Sequence, residues 1–174
     1  MNDPDREKET HPLSGVMEFW ENVMADMEAT AAEYREAGWT VTELHPGDVT
    51  PVPARVDTVE TGRVGLDVLV PGDEFDAVED VVGRAAFDAY DAYRAERGDV
   101  VFAVVVMQAE DAGEAVAVPV YYTKKEASPM LERVDEDGEM RLYVRPLSGD
   151  RRVVFVQSDP EALLPVDDGG DEDA

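Results

Sequence analysis

The sequence predicts an α+β domain, a largely antiparallel sheet of about six strands packed by a long N-terminal helix and one or two shorter helices. Three observations lead there. Apolar residues recur in steps of three and four across 13–37, strand-length apolar runs follow from Trp39 onward, and most of those runs are joined by short turns marked by Gly or Pro. With 174 residues, 44% of them apolar, the chain can fill one core and is too short for two comfortable domains.

In the first segment Val16, Trp20, Val23, Met27, Ala31 and Tyr34 form the apolar stripe. Glu18, Glu21, Glu28, Glu33 and Glu36 lie mostly elsewhere, as in an amphipathic helix. Pro12 suits its first turn, and Gly38 supplies the left-handed residue that ends it. Residues 39–44 then switch to strand chemistry. The stretch 45–61 holds Pro46, Gly47, Pro51 and Pro53 and reads as a long connection with at most a short strand around 55–59. In 63–70 the residues Val64, Leu66, Val68 and Val70 alternate with Gly65, Asp67 and Leu69, which is a strand closed by Pro71-Gly72. Asp73 is placed to cap a helix that carries Phe75, Val78 and Val82 on one face.

Residues 84–97 fit either a continued helix ending at Gly98 or the first arm of a hairpin with 100–108. The run from Val100 to Met107 barely alternates, so it is expected to be a central strand covered on both faces. A turn at 110–114 leads to a strand over 115–123, whose Pro119 points to an edge or a bulge. Ser128-Pro129 and Gly138 bracket a short helix. Residues 140–146 and 151–157 make a last hairpin around Ser148-Gly149-Asp150. The segments 1–11 and 165–174 are rich in acids and poor in apolar residues, so they are expected to be disordered tails around one domain at 12–164.

Charge narrows the function classes. Forty-one acids against 15 Lys and Arg leave a net charge of −26, which argues against binding nucleic acid or an anionic membrane. The cations are 12 Arg and only 3 Lys, and Ala and Val supply much of the apolar content. That combination suits a cytosol holding molar salt, where a Debye length of about 3 Å screens repulsion among carboxylates. No apolar run reaches the roughly 18–20 residues of a membrane span and no signal peptide is recognisable, so a cytoplasmic location is expected. There is no cysteine, which excludes disulfides, thiolate nucleophiles and Cys-ligated metals.

The helix running into GWTVTELHPGDV, then GLDVLVP, VVFAVVV, VPVYY and RPLSGD, together resemble a family of small uncharacterised haloarchaeal proteins, a domain of unknown function. The resemblance covers roughly 11–164. It implies an archaeal, salt-adapted origin and favours a strand in 84–97, and it implies no activity and no functional residue.

Two clusters carry candidate chemistry. Glu43, His45 and Asp48, with Asp67 on another strand, offer the nitrogen and oxygen donors of a hard or borderline metal that could activate water. Their spacing matches no recognised metal pattern, and the preferred reading of His45-Pro46-Gly47-Asp48 is a turn, with Asp67 on a wet sheet face. The second is the last hairpin, where Arg141, Arg145, Arg151 and Arg152 face only Asp150 within 140–157. Alternation puts Arg141, Tyr143 and Arg145 on one face, which with Arg152 could hold a phosphate, a carboxylate or a nucleobase. Set against this, and more commonly the case for surface arginines, they serve the chain's own carboxylates as cross-strand or inter-element pairs. The serines Ser14, Ser128, Ser148 and Ser158 form no nucleophile elbow, and no phosphate-binding or dinucleotide-binding glycine loop is present. The expected function is a cofactor-free, non-enzymatic adaptor or regulator binding an acidic partner or small anion; the alternative is a metal-dependent hydrolase using Glu43, His45, Asp48 and Asp67.

Overall fold

The computed structural model describes residues 12–53 and 62–165. The tail expected at 1–11, all of the one expected at 165–174 except Pro165, and the strand expected around 55–59 lie outside them.

Helix α1 (Pro12–Glu36) ends at Gly38, whose φ of 99° fits the predicted left-handed terminator. Then come β1 (Thr40–Glu43), β2 (Asp48–Val52), β3 (Gly65–Leu69), α2 (Gly72–Arg84), β4 (Ala89–Arg97) and β5 (Val100–Ala109). A single 3₁₀ turn (Glu110–Ala112) leads to β6 (Glu114–Thr123), α3 (Ser128–Asp137), β7 (Met140–Arg145), β8 (Val153–Gln157) and a last 3₁₀ turn (Pro160–Leu163). The ambiguous segment is therefore split: α2 ends at Arg84 and β4 forms a hairpin with β5.

The mixed α+β class holds, but the single six-stranded sheet does not. The strands form two sheets of four, ordered β1-β6-β5-β4 and β2-β3-β7-β8, and each contains one parallel pair, β1 with β6 and β3 with β7. Hairpins are local and leave turn signals in sequence, whereas a parallel pair joins segments whose connection carries no mark of which strand it returns to. Strand β2 falls in the Pro-rich connection because it is an edge, where the missing donor of Pro51 is tolerated.

The first sheet lies in the middle. One face takes Val23, Met27 and Ala31 of α1 against Phe102, Val104, Val106, Ala115 and Ala117. The opposite face packs Val101, Val105, Val116 and Val118 on Leu66 and Val68 of β3, Leu142 and Val144 of β7, and Phe75 and Val78 of α2. Strand β5 is thus covered on both sides, as its unbroken apolar run predicts. Pro119 sits in β6, an inner strand without a bulge, opposite Val104. It is tolerated because β1 pairs only as far as Ala117, so β6 runs beyond its short neighbour there. Asp73 is not the cap of α2: Pro71 holds that position, and Asp73 and Glu74 occupy the first turn, where their charge suits the helix dipole.

Candidate functional site

The outer face of the second sheet follows from strand alternation. Val64, Leu66 and Val68 point inward with Leu142 and Val144, so Gly65, Asp67 and Leu69 share the outer face with Arg141, Tyr143 and Arg145. Register aligns Thr50, Asp67, Tyr143 and Val154 in one row across the four strands. Arg141 lies opposite Gly65, and no side chain would fit there: a Cβ on Gly65 would stand 1.8 Å from the Arg141 carbonyl oxygen.

The three predicted hairpin residues do share this face, but Tyr143 is not a free platform. It is only 5% exposed. Its hydroxyl accepts the Val64 amide at 2.9 Å, and the Arg63 and Arg152 guanidinium carbons lie 5.5 and 5.9 Å from its ring centroid. Arg145 directs Nε to both oxygens of Asp67 at 3.0 Å, and Asp67 also lies 3.9 Å from Arg63. Arg141 binds Glu139 at 3.0 Å. Arg151 leaves this face to pair with Asp76 and Glu79 of α2. Arg152 is exposed and, among the described residues, stacks on Tyr143 without an ion pair. Arginines therefore collect around one aromatic ring. Arg145 is tied to Asp67, while Arg141 and Arg152 sit nearer solvent.

The predicted metal ligands are divided by the fold. Asp67 belongs to the arginine face, and Asp48 is exposed and accepts from Thr50 Oγ1 at 2.9 Å. Glu43 and His45 do approach each other, joined by Glu28 of α1, with donor atoms all within 4.8 Å of one another. Glu74 of α2 accepts from the His45 amide at 2.7 Å through Oε1 and meets Nδ1 at 2.7 Å through Oε2. Burial of the ring works against its protonation, but Glu74 and then Glu28 outweigh it and raise the imidazole above its ordinary value. Arg35 binds Oε2 of Glu43 at 2.5 Å.

Three contributors carry no signal of their role along the chain. Glu28 reads only as one acid off the apolar stripe of α1, Arg63 only as the first residue of the strand expected at 63–70, and Glu74 is not singled out by its sequence context. Each joins its cluster through tertiary packing, and spacing along the chain carries no signal of it.

The chain belongs to the family of unknown function DUF7529, whose family model matches residues 6–165. No curated protein and no solved structure matches it.

Proposed function

We propose that this protein is a non-enzymatic binding protein of a salt-adapted cytosol, an adaptor or regulator that takes an anionic group on the outer face of its second sheet. The observation that carries this reading is the outer face on which Arg141 and Arg145 flank Tyr143 along its strand while Arg63 and Arg152 stack on its ring, in a chain of net charge −26. Anions are repelled by most of such a surface, so a local cluster of guanidinium groups is where a phosphate or carboxylate settles. Arg145 is committed to Asp67 and shapes the face. Arg141, whose Nη2 is shared with the exposed Glu139, and Arg152 are the groups that grip, through short-range forked hydrogen bonds that survive high ionic strength better than long-range attraction.

The test is a titration of the full chain with inorganic pyrophosphate in molar KCl, followed by amide chemical-shift mapping. Shifts should concentrate on β7 and the start of β8 and saturate at about millimolar ligand, an affinity of about −4 kcal/mol. The double substitution Arg141→Gln with Arg152→Gln should abolish them and leave the melting temperature nearly unchanged. Shifts that survive the double variant, or none at all in the parent chain, reject this assignment.

A further inference from the structure

His45 occupies the link between the two sheets, and its backbone is pinned on both sides. The Leu44 amide donates to the Ala117 carbonyl at 2.9 Å, closing β1 onto β6, and the Gly47 amide donates to the Leu69 carbonyl at 2.8 Å, opening β2 onto β3. Glu74 then holds the amide and Nδ1 of His45 together with its two carboxylate oxygens. A carboxylate on one ring nitrogen orients the imidazole and directs the other nitrogen outward as a donor, the arrangement that accompanies metal-binding histidines. Here the outward nitrogen is Nε2, and the group it meets is Glu28 Oε2 at 3.4 Å.

That distance has a meaning in coordination geometry. Two donors about 2.1 Å from one metal ion stand roughly 3–3.5 Å apart when they occupy adjacent positions. The His45–Glu28 pair already has that spacing, and the Glu43 carboxylate lies within 4.8 Å of both. Glu43 completes the set by a small approach of its carboxylate, which it shares with Arg35 through Oε2.

We propose that Glu28, Glu43 and His45 bind a divalent transition-metal cation such as Zn²⁺ or Mn²⁺, with Glu74 as the positioning residue. One imidazole with two carboxylates favours such ions over Mg²⁺ and Ca²⁺, which prefer oxygen alone. The bound ion joins α1, the end of β1 and the inter-sheet link, and its remaining positions face solvent beside Glu28, whose side chain is 55% exposed. This site is separate from the arginine face, so either stands if the other fails.

Calorimetry with Zn²⁺ and with Mn²⁺, on the full chain in molar KCl at mildly alkaline pH, tests it. High salt suppresses diffuse attraction of cations to the acidic surface. A single saturable site is expected, weakened at least about 10-fold by Glu28→Gln or His45→Gln and about 10–100-fold by Glu74→Gln. Asp48→Asn and Asp67→Asn should leave it unchanged. Glu28→Gln alters only an exposed helix side chain, so it serves where a His45 variant unfolds, and a melt in chelator checks each variant. The proposal is overturned by the absence of saturable heat, by binding indifferent to Glu28→Gln, or by Mg²⁺ binding as tightly as Zn²⁺.

Discussion

At the scale of single residues, Tyr143 joins stability to the proposed binding face. Its hydroxyl is the acceptor for the Val64 amide, which lies inside the core just before β3 begins. Phenylalanine at this position keeps the ring on which Arg63 and Arg152 rest and removes only the oxygen. Tyr143→Phe should therefore cost about 1–3 kcal/mol, the penalty of an unpaired buried donor, without rearranging the arginines. Urea unfolding at constant KCl measures it, and an unchanged midpoint would mean that Val64 finds another acceptor. Arg145 is a different case. Its partner Asp67 has a side chain only 13% exposed, so losing the guanidinium leaves a largely buried carboxylate without the two hydrogen bonds from Arg145 and with Arg63 at 3.9 Å. For that reason Arg141 and Arg152, rather than Arg145, separate binding from folding. Glu114, at the start of β6, is also a largely buried carboxylate on one arginine: one oxygen meets Arg84 at 2.6 Å and the other is buried without a hydrogen-bond partner among the described residues.

Among the elements, β3 depends on a residue that the sequence marks only as a gap in an apolar alternation. Gly65 has φ of 148° and sits against the Arg141 backbone, on the parallel ladder that joins β3 to β7. Gly65→Ala adds about 1–3 kcal/mol of backbone strain, and the 1.8 Å approach to a carbonyl adds more because backbone cannot rotate away. The expected result is a large fall in melting temperature together with lost amide protection in β3 and β7. A melt within about 1 °C of the parent would show that the ladder opens without cost. Elements whose chemistry is local were legible: the stripe of α1, the αL glycines at 38 and 138, the covered strand β5, and the last hairpin. What stayed hidden was long-range. The two parallel pairings bring β1 beside β6 and β3 beside β7 across 74 and 76 residues of sequence (Thr40 to Glu114, Gly65 to Arg141), and they divide one expected sheet into two. The same division explains the clusters. Asp67 faces Arg145 through the β3–β7 pairing and is thereby removed from His45, while α1 and α2 deliver Glu28 and Glu74 from opposite sides.

For the molecule as a whole, the excess of 26 negative charges sets two salt effects in opposition. Screening weakens surface ion pairs such as Arg151 with Glu79 and Lys124 with Glu96, each worth about 0–1 kcal/mol, so added salt removes a little stability from each. Repulsion acts among all the unpaired carboxylates at once and reaches as far as the Debye length, about 10 Å at 0.1 M and about 3 Å at 1 M. Acids outnumber Lys and Arg by 41 to 15, so most carboxylates have no cation to lose and the repulsive sum dominates. Stability should therefore rise from dilute buffer to molar KCl, most steeply at the low end where the screening length falls fastest. Chloride is the appropriate anion, since sulfate strengthens apolar burial whatever the protein's charge. A matched series at pH near 4, where many carboxylates are neutralised, should show a shallower rise, because the repulsion to be screened is smaller. Melting temperatures that are flat in KCl at neutral pH, or that rise equally at both pH values, would place the salt response in solvent exclusion and remove charge repulsion as the reason for this composition.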